Sequence, residues 1–139
     1  MIEETSTGIV LFRKKKKKKL FLLLHYPSGH WDFVKGKMEK GESTHQTAIR
    51  ETKEETGITD ITFIENFEEW IEYNFKHQGE LVQKKVVFFL AETKTKEVKI
   101  SHEHSGYTWM DYNSSMEKTT FDNAKTVLTK AEKLLSDTL

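Results

Sequence analysis

The chain has 139 residues, enough for one hydrophobic core and short for two. Its 22 basic and 22 acidic residues cancel, which excludes attachment to nucleic acid by bulk charge and leaves only a local basic patch for that role. The lack of cysteine excludes disulfides, thiolate zinc sites and a cysteine nucleophile. No apolar run approaches the roughly 20 residues that span a bilayer, and Met1-Ile2-Glu3-Glu4-Thr5 lacks the basic-then-apolar order of a secretory signal. The expectation is a single domain over residues 1–139, located in the cytoplasm.

Thr5–Phe12 and Leu20–His25 are apolar, β-branched and aromatic, and predict the two strands of a hairpin. The connection between them, Arg13–Lys19, contains six consecutive lysines. Their mutual repulsion predicts a solvated loop, with a nucleic-acid or localisation patch as the sharper alternative. Pro27-Ser28-Gly29 predicts a turn, and a loop carrying Trp31 and Phe33 runs on to Gly36 and Gly41. Ser43–Thr56 predicts a helix, with Ser43 or Thr44 as its N-cap and Gly57 as its stop. Ile61–Tyr73 and Leu81–Ala91 predict two long strands joined near His77-Gln78-Gly79-Glu80, and Gly106–Met110 a short one. A last helix is expected from about Phe121 to Leu135, because Ala124, Val127, Leu128, Ala131, Leu134 and Leu135 recur at helical spacing. This order of elements predicts a mixed α/β domain in which helices cover a sheet.

Successive residues of a helix are turned by about 100°. On that wheel Ala48, Ile49, Thr52 and Thr56 form a small and apolar arc suited to packing. Glu51, Glu54 and Glu55 share the adjoining arc, with Arg50 beside them. Three carboxylates on one surface repel unless a cation sits among them, and a hard divalent ion such as Mg²⁺ is the natural partner. Arg50 cannot lose its charge and predicts a bidentate contact that orients a glutamate. Taken alone, a glutamate-rich helix face is usually only solvated.

The longer segment from Gly36 to Ile58, GKMEKGESTHQTAIRETKEETGI, resembles the Nudix box, G-x5-E-x7-R-E-U-x-E-E-x-G-U, where U is a bulky aliphatic residue. Gly36, Glu42, Arg50, Glu51, Glu54, Glu55, Gly57 and Ile58 match in register. Thr52 departs from the aliphatic preference, on the packing arc rather than among the carboxylates. The resemblance implies the Nudix fold, an α/β/α sandwich with a mixed central sheet and this helix packed on it. It also implies a metal site at Gly36, Glu51, Glu54 and Glu55 for Mg²⁺, with Mn²⁺ as a substitute, and a supporting or orienting role for Glu42. The implied chemistry is attack of metal-activated water on phosphorus, with Glu51, Glu54 and Arg50 as catalytic candidates.

Outside the box, GHWDFVKG (29–36), FFLAE (88–92) and SHEHSGYTW (101–109) are similar to asymmetrical diadenosine tetraphosphate hydrolases, and the likeness continues to Phe121. Val34 stands where those relatives usually carry proline, which predicts a looser loop ahead of the metal site. The likeness implies conversion of diadenosine tetraphosphate to ATP and AMP. Lys35, His30 and Lys84 or Lys85 are then the candidate polyphosphate donors, and Tyr73, Tyr107 and Phe121 the candidate adenine-stacking faces. Glu103 is the candidate for a further metal ligand or the general base. Plainer readings stand beside these: Tyr73 and Tyr107 as strand core, Phe121 as helix packing, His30 as packed beside Trp31. His102 and His104 read as residues that shape the loop around Glu103 rather than as zinc ligands.

Two other functions fit less of the pattern. A pyrophosphohydrolase acting on RNA 5′ ends or on non-canonical nucleoside triphosphates would give the lysine run a use. A catalytically silent nucleotide-binding sensor would be marked by lost box glutamates, and none is lost. The expected partner is a small-molecule nucleotide, with no membrane and no DNA, bound by a monomer or weak dimer.

Overall fold

A computed structural model describes residues 1–138, so Leu139, the last residue of the expected domain, lies outside it. In chain order it forms β1 (Ile2–Lys15), β2 (Lys18–His25), β3 (Trp31–Asp32), β4 (Val34–Lys37), α1 (Thr44–Thr56), β5 (Ile61–Phe63), β6 (Glu69–His77), β7 (Glu80–Thr93), β8 (Gly106–Met110), α2 (Tyr112–Lys118) and α3 (Asp122–Thr138). β1 is the spine of one mixed sheet of eight strands. Along one edge it runs parallel to β7, from Ile2 opposite Val82 to Phe12 opposite Glu92. Along the other edge its first half pairs with β4 and its last residues with β2, both antiparallel. β5 and β6 pair with β7, and β8 with β2.

Strand residues alternate between faces, and the two faces have different covers. Val10, Phe12, Phe21, Leu23, Val86, Phe88 and Leu90 pack with Ala124, Val127, Leu128 and Ala131 of α3. Ile9, Leu11, Leu22, Leu24, Val87, Phe89 and Ala91 pack with Ala48 of α1 and with Ile58. A helix on each face of a mixed sheet is the expected sandwich.

The structure departs from the sequence expectations in several places. The lysine run is mostly strand: Lys14 pairs with Lys19 and Lys15 with Lys18, leaving a tight turn at Lys16-Lys17 with Lys16 at φ 57°. Backbone pairing that continues from the apolar strands overrides the repulsion that predicted a loop. The expected strand Ile61–Tyr73 is broken between β5 and β6, where Asn66 takes φ 69°. Val34 is not in a loosened loop; it pairs with Ile9 in β4 and is 2% exposed. Short β3, β4 and α2 carry too few residues to show a period. Among the described residues no helix is long and apolar enough to cross a membrane.

Leu128 is fully buried between α3 and the sheet. Its replacement by alanine is expected to lower the free energy of urea unfolding by about 2–5 kcal/mol; a loss under about 1 kcal/mol would mean that α3 is not a core element.

Candidate active site

Helix α1 is defined at both ends by its own sequence. Ser43 accepts from the Gln46 amide while the Gln46 side chain accepts from the Ser43 amide, a reciprocal capping box. Gly57 closes the helix at φ 77°, a left-handed conformation that costs glycine little, and its amide donates to Lys53. Thr52, the residue that departs from the box, is fully buried, and its hydroxyl donates to the Ala48 carbonyl at 2.8 Å. Thr47, Ala48, Thr52, Glu55 and Thr56 form the buried face. Ile49, expected on that face, is instead 45% exposed.

Arg50 organises the carboxylates. Its Nε and Nη2 donate to the two oxygens of Glu42 at 2.7 and 3.1 Å, a bidentate clamp. Nη1 donates to Glu51 at 2.8 Å and to Glu54 at 3.1 Å, and Nη2 also reaches the Lys37 carbonyl at 2.9 Å. Glu42 accepts further from Thr47 Oγ1 and the Glu39 amide. Hydrogen bonds from Arg50, then from the Glu39 amide, hold the Glu42 carboxyl down at about 2. The Glu42 carboxylate is therefore saturated with donors.

Glu55 stands in the opposite situation. It is 4% exposed, and Oε1 lies 2.9 Å from Nε2 of the buried His104. Oε2 is buried with no hydrogen-bond partner. Burial, a hydrogen bond to Glu51 and the charges of Glu51, Glu103 and Glu54 push its carboxyl up to about 10. The two observations agree: as an ion Oε2 lacks a donor, and as an acid it donates to Glu51. Burial also lowers the His104 imidazole, so its contact with Glu55 is a neutral hydrogen bond. Ser101 Oγ, 3.0 Å from His104 Nδ1, then completes a chain Ser101–His104–Glu55.

The β4 strand passes close over this cluster. A Cβ on Gly36 would overlap the Glu51 carboxylate, so any side chain there would have to push that carboxylate aside. Among the described residues no three side chains converge as they stand to chelate an ion, because Arg50 draws Glu51 and Glu54 to itself. The donor set nevertheless fits a hard divalent cation: clustered carboxylates, one with a buried and unsatisfied oxygen, beside a closely approaching strand.

On the other face of β4 lies a pocket of about 260 Å³ lined by Asp32, Lys35, Ile71, Tyr73, Phe88 and Phe121, with Asn123 and Ala124. Lys35 Nζ is 3.2 Å from the buried Asp32. The His30 ring stacks on Tyr26 at 4.6 Å and stands 5.1 Å from Phe121 at the pocket edge. Burial lowers the His30 imidazole, which leaves it neutral near pH 7. Lys84 pairs across the strands with Tyr73 and is 3.3 Å from Glu4.

The structure thus brings Lys35, Tyr73, Phe121 and His30 together, with Lys84 close by. It does not bring Lys85 or Tyr107 there. Lys85 follows Lys84 on β7 and points to the opposite face. Tyr107 pairs with Leu24 on the α1 side and is 42% exposed. A three-ring sandwich of Tyr73, Tyr107 and Phe121 is therefore not formed.

A NUDIX domain profile matches residues 3–130. This chain belongs to the Nudix hydrolase family. The asymmetrical bis(5′-nucleosyl)-tetraphosphatase of Sus scrofa is 36% identical over 142 aligned residues, covering 94% of both chains. The crystal structure of a C. elegans Ap4A hydrolase binary complex superposes with a TM-score of 0.86 at 33% identity, covering 96% of this chain and 98% of that one. An RNA pyrophosphohydrolase of Nitratiruptor is 44% identical, but over 45 residues that make up 32% of this Nudix chain.

Two contributors escaped the sequence reading. Asp32 reads as part of a motif, and only the fold shows it buried against Lys35. His104 was read as a loop-shaping residue; its period-two spacing from His102 gave no sign that it alone turns inward onto Glu55 and edge-on to Tyr26 at 4.7 Å.

Two variants test the cluster. Gly36→Ala is expected to reduce Mg²⁺ affinity at least about tenfold by displacing the Glu51 carboxylate, measured by metal titration; unchanged affinity would separate Gly36 from the site. Burial and the neighbouring carboxylates push the folded Glu55 carboxyl up to about 10, above its ordinary value in the unfolded chain. Its contribution to stability is therefore full below its unfolded value and is lost as pH rises toward its folded one. Glu55→Gln is expected to raise Tm in EDTA by at least about 2 °C near pH 8 and to flatten the decline with pH. An unchanged Tm and slope would show that Glu55 carries no buried penalty.

Proposed function

We propose that this Nudix hydrolase cleaves dinucleoside polyphosphates, with diadenosine tetraphosphate converted to ATP and AMP. The observation that carries the reading is the position of β4. Its consecutive residues Lys35 and Gly36 face, respectively, the Tyr73–Phe121 pocket and the Glu51–Glu55 cluster. A ligand held by a base in the pocket has its phosphates led over this edge to the carboxylates. The near full-length match to chains named asymmetrical tetraphosphatases supports the same substrate class.

Each residue then has a task. Tyr73 and Phe121 supply the stacking faces for one adenine, worth about 1–3 kcal/mol per base. Lys35 supplies positive charge to the phosphate chain, with Asp32 fixing its ammonium group. His30, neutral, offers a hydrogen bond at the pocket mouth. Gly36 by its carbonyl, with Glu51, Glu54 and Glu55, would hold Mg²⁺. That ion supplies Lewis-acid polarisation of phosphoryl oxygens and lowers the pKa of the attacking water. Glu103, on the exposed loop ahead of β8, accepts the proton from that water. Arg50 is a positioning residue, because its guanidinium is already committed to Glu42, Glu51, Glu54 and the Lys37 carbonyl. Tyr107 and Lys85 fall outside the pocket, on the α1 face of the sheet.

The test is product analysis with Mg²⁺ and diadenosine tetraphosphate in ¹⁸O-labelled water. The expected products are ATP and AMP with the label in AMP, which places water attack at the phosphorus next to one adenosine. Two ADP molecules, or no turnover alongside pyrophosphate release from triphosphate-ended RNA, would overturn the substrate assignment while leaving the Nudix chemistry intact.

A further inference from the structure

The six-lysine hairpin has no part in the site described above, and its structure is costly. Lys14 faces Lys19 and Lys15 faces Lys18 across the two strands, and like charges directly opposite destabilise a ladder. Among the described residues, Lys19 alone of the six makes an ion pair, with Glu132 of α3 at 2.9 Å. Strand alternation then sends Lys15 and Lys18 to the other face, the side of Arg13 and Leu20.

That face carries an open groove. One cavity, of about 790 Å³, is lined by Lys15, Lys16, Lys17 and Lys18 together with Leu20 and Trp109. A second, of about 590 Å³, is lined by Arg13, Lys96 and Tyr107 and shares Lys15, Leu20 and Trp109 with the first. The two lie side by side along these shared residues. Acidic side chains touch it at Asp111, which caps α2 through the Ser114 amide, and at Glu97. The Trp109 ring is held in place: its Nε1 donates to the Lys96 carbonyl at 2.9 Å, and the Arg13 guanidinium lies over it at 5.2 Å. Tyr107, two residues earlier on the same face of β8, is exposed.

We propose that this groove binds single-stranded RNA. Closely spaced cations that outnumber the acidic groups Asp111 and Glu97 beside them attract a phosphate backbone, and aromatic faces between them accept bases without demanding a sequence. The balanced net charge of the whole chain makes the hairpin a local asymmetry rather than part of a general basic surface. The orientation is specific as well. The groove follows β8, which starts just after Glu103 and ends at the hairpin. Five strand residues span about 17 Å, room for a few nucleotides of an extended strand. The proposal does not depend on which nucleotide the Nudix carboxylates cleave.

The test is fluorescence anisotropy of a labelled 5′-hydroxyl RNA oligonucleotide of about ten nucleotides, in EDTA at about 50 mM salt, so that neither metal nor a 5′ phosphate recruits it to the carboxylates. The wild-type chain is compared with the combined Lys15→Gln, Lys16→Gln, Lys17→Gln, Lys18→Gln variant. That variant is expected to lose at least about tenfold in affinity and to show a salt slope shallower by about 0.7 for each phosphate contact removed. Its turnover of diadenosine tetraphosphate is expected to match the wild type, which also reports that it is folded. Trp109→Leu is expected to weaken RNA binding more than Trp109→Phe, which keeps an aromatic face. No binding by the wild type, equal binding by the lysine variant, or equal affinity for a duplex of the same length would overturn the proposal. So would lysine-dependent binding to phosphatidylserine vesicles without binding to RNA, which would assign the hairpin to a lipid surface.

Discussion

Arg50 sits where a loop, a helix and an edge strand meet, and the rest of the site depends on how its one charge is shared. Its guanidinium touches Glu42 from the loop, Glu51 and Glu54 from α1, and the Lys37 carbonyl at the end of β4. Without it, these carboxylates would face each other across a partly buried space, and repulsion would open the loop away from the helix. With it, Gly36 of β4 lies directly over the Glu51 carboxylate, where a Cβ would displace it. The arginine does not neutralise the cluster. It satisfies Glu42 fully and Glu51 and Glu54 partly, and its hydrogen bonds do not extend to Glu55. The carboxyl left outside its reach lies at the far end of the helix, beside the loop that carries Glu103.

The second constraint is parity. On a strand each successive residue changes face, so one edge strand can serve two environments at once. β4 does this within two residues, Lys35 toward the aromatic pocket under α3 and Gly36 toward the carboxylates of α1. The distance between base pocket and cluster is set by the thickness of one strand, which a loop would not fix as firmly. Val34 contributes by burying its side chain against Ile9's strand, so that the pair Lys35-Gly36 cannot slip.

Parity also explains which residues were legible beforehand. Helix α1 and its carboxylates could be read because the capping residues, the 3.6-residue period and the long spaced pattern all agree over one short segment. Helix α3 was legible from its apolar spacing alone. Tyr107 and Lys85 were misplaced for the opposite reason: the face of a strand residue depends on register with neighbours far away in sequence, here Leu24 and Glu72. The strand character of the lysine run is not legible from charge repulsion alone, because the apolar strands on both sides extend their pairing through it. The break at Asn66 and the short α2 left no periodic trace. His104 could not be found from spacing, since only the folded loop shows which of two histidines turns inward.

The Ser101–His104–Glu55 chain links the ends of this argument. Glu55 is the carboxylate that the cluster compresses most, and His104 gives it a single neutral donor. The loop that delivers His104 is itself tied to the helix, since the Ser101 amide donates to the Glu55 carbonyl and the Lys99 amide to that of Thr56. One end of α1 therefore sets the position of Glu103 as well as the protonation of Glu55. A cation entering the cluster would relieve the unsatisfied Oε2, return Glu55 to its ionised form and strengthen the His104 contact by making it charge-assisted. The same event would steady the loop holding Glu103 and the start of β8. The buried oxygen that lacks a donor thus lies on the residue to which the loop is attached.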